Sequence, residues 1–254
     1  MTVEIELCAA RVRYGPLEAL HGVDLSVPAA ALTVLLGRNG SGRTTALRAL
    51  AGTVPLSAGH VRWQGADVTR LPAHGRARRG LCFVPDLRAV YGGLTVADNL
   101  ALNTPPGGAA SPALEAYPAL RPLLPRLAGT LSGGEQRMLA VSRALLAAAA
   151  PATAARARTR VVLVDEPTLG MSPGTAARTY ALLAALSTTT AVVLAEQRLP
   201  ALPAPGPVFV SELDRGRVAF TGEASESSRA PRSRAPQGHG PVPNRPGGPA
   251  RCRR

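Results

Sequence analysis

At 254 residues the chain is long enough for one large domain or two small ones, and it can bury a substantial core without disulfide or metal staples. Apolar residues make up 46% and aromatics only 3%, so that core must be built from Ala, Val and Leu. The net charge is +13 and contains no lysine, yet no nucleic-acid-binding motif accompanies it; a solvated surface is expected, with nucleic acid not expected as a partner.

No run of eighteen apolar residues occurs, and Met1-Thr2-Val3-Glu4-Ile5-Glu6 does not read as a signal peptide, so no membrane span is expected. Cys8, Cys82 and Cys252 are far apart, which is neither a zinc pattern nor a disulfide framework.

In chain order, residues 3–13 and 23–27 are predicted as short strands, with a turn from Pro28. Ala31-Leu32-Thr33-Val34-Leu35-Leu36 is an apolar run ending at Gly37 and is predicted as a strand buried on both faces. Thr44 to Ala51 has helical spacing with Gly52 as its stop. Residues 60–63 and 80–84 read as further strands. From Leu94 to Thr130 the pattern is helical but broken by Pro105, Pro106, Gly107 and Gly108. Glu135 to Ala150 is a strong helix, Val161–Val164 a second fully apolar strand, Ala176 to Leu186 a helix and Ala191–Ala195 a strand. Such alternation argues for a parallel sheet covered by helices on both faces. After Gly222 the composition turns to Ser, Arg, Pro and Gly, with seven arginines in residues 223–254, and is expected to be disordered.

Three motifs carry chemistry. Gly37-Arg38-Asn39-Gly40-Ser41-Gly42-Arg43-Thr44 has the phosphate-loop spacing, between a buried strand and a helix. Its glycines let backbone N–H groups converge on an anion, the helix N-terminus adds partial positive charge, and Thr44 can offer a hydroxyl to Mg²⁺. The motif ordinarily has lysine where Arg43 stands; the charge is kept and the shape changed. Val161-Val162-Leu163-Val164-Asp165-Glu166 then delivers two acids to the carboxyl end of a strand, with Asp165 placed for Mg²⁺ and Glu166 for general-base work on water. Leu131-Ser132-Gly133-Gly134-Glu135-Gln136 sets a second glycine-rich helix start. One site does not need two phosphate cradles, so this one is read as serving a partner's nucleotide.

Together these residues resemble the ABC ATPase family from about residue 3 to 222, LSGGEQ being that family's signature. The resemblance implies an α/β fold: a P-loop NTPase (RecA-like) core with a mostly parallel sheet, an N-terminal antiparallel β element and a small α-helical signature subdomain at about 87–145. It also implies ATP and Mg²⁺ as ligands, and pairing with a second ATPase subunit, the same or a sister chain, so that Ser132, Gly133 and Gly134 reach the partner's γ-phosphate. Thr45 and Glu135 join the implied nucleotide contacts, and Tyr14 matches the aromatic that stacks on adenine. Asp86 falls where the family usually has a glutamine that meets the metal, and Gln197 where most members have a switch histidine. Glu196-Gln197, Leu94-Thr95-Val96-Ala97-Asp98-Asn99-Leu100 and Leu169-Gly170-Met171-Ser172-Pro173 are similar to the branched-chain amino-acid importer ATPases. The segment Ala147–Arg160 is longer than that branch's pattern. Membrane-spanning permease subunits, and through them a solute-binding protein, are the implied partners, with the chain peripheral on the inner face of the membrane. The alternative is a catalytically weak nucleotide-binding regulator.

Overall fold

The computed structural model describes residues 2–104, 110–153 and 157–227. Pro105 to Gly108, and the tail from residue 228, lie outside the described residues. The elements run β1 (Val3–Tyr14), β2 (Leu17–Pro28), β3 (Leu32–Leu36), α1 (Arg43–Ala51), β4 (Ala58–Trp63), β5 (Ala66–Asp67), α2 (Ala73–Arg78), β6 (Leu81–Val84), α3 (Val96–Ala101), α4 (Ser111–Ala116), α5 (Gly133–Ala149), β7 (Val161–Asp165), α6 (Pro173–Leu186), β8 (Ala191–Glu196), β9 (Val208–Asp214), β10 (Arg217–Glu223) and α7 (Ala224–Ser227). Two 3₁₀ turns, Pro118–Leu123 and Ala128–Thr130, lead into α5.

The strands form two sheets. One is antiparallel, in the order β2-β1-β4-β5; the other runs β10-β9-β3-β8-β7-β6 and is parallel except for the β9/β10 hairpin. The expected N-terminal antiparallel element and mostly parallel core are both present. β2 begins at Leu17, earlier than the predicted 23, because the Tyr14–Leu17 pairing closes a hairpin directly onto β1. The β9/β10 pair was not anticipated, and β10 continues one residue past the expected limit at Gly222.

Strand geometry explains why β3, β7 and β8 read as unbroken apolar runs. Successive side chains point to opposite faces, and both faces here are covered. Val161, Leu163, Ala191, Val193 and Ala195 pack with α1 and the antiparallel sheet, while Val162, Val164, Val192 and Leu194 pack with the helical side of α3 to α6. All five residues of β7 are buried, including Asp165 at its end. The core therefore holds a carboxylate at the one edge where the strands open onto ligands.

α1 is anchored at its far end by a buried cation. Arg76, from α2, donates from Nη1 to the carbonyls of Ala49 and Leu50 at 2.7 Å each. Its other donors reach Leu71, Val68 and Thr69 carbonyls at 2.9, 2.9 and 3.2 Å. Burial pulls this guanidinium down to about 10, with Asp67 opposing the shift. The helix's last carbonyls, which have no partner within the helix, are satisfied in this way.

Candidate nucleotide site

The phosphate loop begins where β3 ends, and each glycine has a local reason. A Cβ on Gly37 would lie 2.4 Å from the Ser41 hydroxyl and 2.5 Å from the Leu213 carbonyl. Gly42 caps α1 at φ 103°, a left-handed backbone that L side chains avoid. No side chain caps α1 and no acid lies in its first turn. Its N-terminal amides are thus left facing the loop's interior, the arrangement that favours an anion. The loop is also braced from outside: the Gly216 amide, in the β9–β10 turn, donates to Ser41 O at 2.8 Å, and His21 N donates to Gly216 O at 2.9 Å.

This loop lines a cleft of about 670 Å³ that gathers most of the sequence-predicted residues. Tyr14, Arg38, Asn39, Gly40, Gly42, Arg43, Thr44, Thr45, Asp86 and Glu166 all border it. Tyr14 is exposed at its rim, as a stacking platform for a flat base requires. Gly37 and Ser41 support the loop from below.

The charges in the cleft are arranged around Glu166. Arg43, 5% exposed, brings Nη2 to 3.4 Å from Glu166 Oε1, and its Nη1 is buried with no hydrogen-bond partner among the described residues. Gln197 donates from Nε2 to the same Glu166 oxygen at 3.3 Å. Glu166 itself holds φ 47°, left-handed for a non-glycine residue. Three hydrogen bonds fix that backbone: Glu166 N donates to Ala195 O at 3.0 Å, and Glu166 O accepts from Arg137 Nε at 3.0 Å and from Leu169 N at 3.2 Å.

Asp165 is fully buried, and among the described residues neither of its oxygens has a hydrogen-bond partner. Burial first, then the nearby Asp86 and Glu166, push its carboxyl upward; the neighbouring Thr44 hydroxyl and Arg43 pull it down. A buried carboxylate with both oxygens unengaged is costly by itself and suits a cation. Mg²⁺ needs only one or two protein carboxylates beside phosphate and water, so Asp165 with Thr44 fits it. Asp86 lies at the same edge, with its carboxylate 3.3 Å from Arg48 Nη2.

The signature residues do not border this cleft. Ser132 accepts from Glu135 N at 3.3 Å while Glu135 Oε2 accepts from Ser132 N at 2.8 Å, a reciprocal cap on α5. The Glu135 carboxylate is therefore spent on shaping the loop. Ser132 and Gly133 are exposed, and a Cβ on Gly134 would lie 2.4 Å from Gly170 O. That close approach joins the signature turn to the loop after Glu166.

Three contributors were missed from sequence. Arg137 is 4% exposed, sends Nη1 to Pro85 O at 2.5 Å, and sits among Asp165, Asp86, Glu166 and Glu196, although burial still lowers its affinity for a proton. A signal existed: Arg137 shares the inward stripe of α5 with Ala140, Val141 and Ala144, an arginine where an apolar residue belongs. Tyr180 and Glu196 form the second pair, Tyr180 donating to Glu196 Oε1 at 2.5 Å. Tyr180 gave no such signal.

A parallel sheet, a glycine cradle at the start of α1 and a buried acid at the end of β7 define a P-loop nucleotide-binding protein. The family model described as ABC transporter matches residues 20–169. The chain is 35% identical over 170 residues to "High-affinity branched-chain amino acid transport ATP-binding protein BraG" of Pseudomonas aeruginosa, covering 63% of this chain and 67% of that one. It is 33% identical over 222 residues to "Probable branched-chain amino acid transport ATP-binding protein LivF" of Archaeoglobus fulgidus, covering 84% and 89%. "Sulfate/thiosulfate import ATP-binding protein CysA" of Escherichia coli K12 is 34% identical over 65% of this chain and 45% of its own length. Among solved structures, a nucleotide-free ATP-binding cassette from an ABC transporter superposes with a TM-score of 0.71 at 21% identity, covering 89% of this chain and 94% of that one. The chain belongs to the ABC transporter family, as an ATP-binding cassette subunit.

Proposed function

We propose that this subunit binds MgATP in the cleft beneath Tyr14 and hydrolyses it to drive import of branched-chain amino acids or a related small polar solute. The observation that carries the nucleotide part is a pair of buried groups unsatisfied among the described residues: Arg43 Nη1, on the glycine-walled cleft, and the Asp165 carboxylate, just behind the cleft residues Thr44 and Glu166. One wants an anion and the other a cation, and a magnesium-bound triphosphate supplies both. The cargo part rests on the names of BraG and LivF. The match to CysA, named for a different cargo, agrees with a cassette that does not itself read the solute.

In this reading the amides of residues 37–44 and the side chain of Thr45 hold the phosphates, and Tyr14 stacks on the base. Thr44 and Asp165 hold Mg²⁺, with Asp86 beside them; the ion offsets negative charge on the triphosphate. Glu166 accepts a proton from water as its oxygen bonds to the γ-phosphorus and the bond to the bridging oxygen breaks. Gln197 orients Glu166 and hydrogen-bonds the phosphate side. It cannot become a cation, so any charge compensation on that flank comes from Arg43.

Exposed Ser132 and Gly133, with Gly134 behind them and Glu135 holding the turn, face a second ATPase subunit's nucleotide. Closing and opening of that pair is passed to membrane-spanning permeases, with the chain peripheral on the inner membrane face. No helix among the described residues is long and apolar enough to cross a membrane. No observation favours the regulatory alternative.

Arg43 is the sharpest departure, and its variants test the phosphate contact. Arg43→Met is expected to weaken ADP binding by roughly 10- to 100-fold, the worth of a lost charge-assisted hydrogen bond. Arg43→Lys keeps the charge and should bind within about tenfold of the native chain. Equilibrium titration with a fluorescent ADP analogue checks both, and unchanged affinity in Arg43→Met would remove Arg43 from the site. For the cargo, cells deleted for this chain should lose uptake of labelled leucine; uptake that persists unchanged sinks that half of the proposal.

A further inference from the structure

Tyr180 on α6, which no motif predicted, and Glu196 at the end of β8, noted in the sequence only for its resemblance and given no role, form a bridge beside the cleft. The Tyr180 hydroxyl donates to Glu196 Oε1 at 2.5 Å and lies 3.0 Å from the Thr168 hydroxyl. Because the phenol's single proton is committed to Glu196, the Thr168 hydroxyl is the donor in the second bond. Thr168 is two residues after Glu166, and Glu196 immediately precedes Gln197. Gln197 in turn donates to Glu166 at 3.3 Å.

The contacts therefore close on themselves. From Glu166 the chain runs to Thr168, by hydrogen bonds through Tyr180 to Glu196, along the chain to Gln197, and by hydrogen bond back to Glu166. At the backbone the two loops are already joined by Glu166 N donating to Ala195 O at 3.0 Å; beyond that bond the β8 end gives way to a bend at Gln197, and the loop after β7 runs through turns to Gly170. A ring with three hydrogen bonds and two short covalent stretches adds a second tie, at the level of the side chains, to that backbone bond. The ring's Thr168, Tyr180 and Glu196 groups are half-buried, where a hydrogen bond competes less with water than it does on the surface, while Gln197 closes the ring from an exposed position.

We infer that Tyr180 is a positioning residue for ATP hydrolysis, pinning the loop that carries Glu166 to the loop that carries Gln197. The inference rests on the nucleotide reading above and goes beyond it, because Tyr180 does not border the nucleotide cleft. The acceptor matters by shape and not by charge: an amide oxygen at position 196 can receive the phenol proton as a carboxylate does, whereas an alkyl group cannot.

The test compares the full-length chain with Tyr180→Phe, Glu196→Gln and Glu196→Leu, measuring steady-state phosphate release and equilibrium ADP binding. Tyr180→Phe and Glu196→Leu should lower kcat by about ten- to hundredfold, the effect expected of a small misplacement of reacting groups. ADP affinity should stay within about twofold, since no phosphate or base contact is touched. Glu196→Gln should retain native turnover. In a Glu166→Gln background, Tyr180→Phe should cost nothing further, because the group it positions is already gone.

Native turnover in Tyr180→Phe would overturn the inference and leave the nucleotide reading standing. A loss of ADP affinity as large as the loss of turnover would also overturn it, by showing general damage to the fold. A native chain that binds no nucleotide would bring down both readings together.

Discussion

Glu166→Gln is expected to lower ATP turnover by about 10²- to 10⁴-fold, the usual worth of a general base, while nucleotide binding is preserved. The geometry makes this substitution unusually clean. Glutamine has the same length, and its amide oxygen can still accept from Gln197 and from Arg43, the two groups now at 3.3 and 3.4 Å from Oε1. The left-handed backbone at this position, a conformation that costs on the order of 1–3 kcal/mol, is held by the Glu166 N–H on Ala195 O and by the Arg137 guanidinium and Leu169 N–H on Glu166 O, none of which involves the Glu166 side chain. What the variant lacks is the ability to take a proton from water. Phosphate-release assays beside nucleotide titration check it; turnover within about tenfold of the native chain would assign the base to another group.

The second large effect is on stability. Arg76→Met removes five donor contacts to carbonyls of residues 49, 50, 68, 69 and 71 and fills the same space with an apolar stem. Buried carbonyls left unpaired cost about 1–3 kcal/mol each when nothing replaces the donor, and relaxation recovers part of that. A net loss of about 3–5 kcal/mol is expected, by analogy with breaking a buried ion pair, which in a domain of this size lowers Tm by roughly 10 °C. Arg76→Lys should fall between the two, since three donors on a single nitrogen cannot span five acceptors. Thermal unfolding of the three chains decides the matter, and a shift below about 2 °C would mean that water replaces the guanidinium. α1 carries the phosphate loop on its other end, so nucleotide affinity is expected to fall together with stability.

The parts of this protein that were legible in its sequence are those whose chemistry is local. The phosphate loop, the acidic end of β7 and the signature turn are each fewer than ten residues long, and each explains itself by a backbone requirement or a charge. β3, β7 and β8 were legible for a related reason: a strand covered on both faces has no polar positions to interrupt it. Arg76 was not, because an arginine on a six-residue helix normally faces water, and only the tertiary arrangement puts carbonyls around it; Arg137, on the long α5, was legible only as an arginine in an apolar stripe, while the carboxylates around it come from other elements. The hairpin Val208–Glu223 was missed because the Pro-rich stretch before it disguises an ordinary period-two alternation, and because its principal partner, β3, lies about 175 residues earlier. Tyr180 belongs with the unreadable residues, since its meaning depends on two loops that meet only in the fold.

That late hairpin limits where this domain can be cut. All the recognisable chemistry ends at Gln197, which invites a shortened fragment. Yet Leu213 and Gly216 form the rear support of the phosphate loop, one roofing Gly37 and the other tethering Ser41. The smallest autonomous ATP-binding unit is therefore set by its scaffolding and not by its motifs, and it extends to the end of the hairpin.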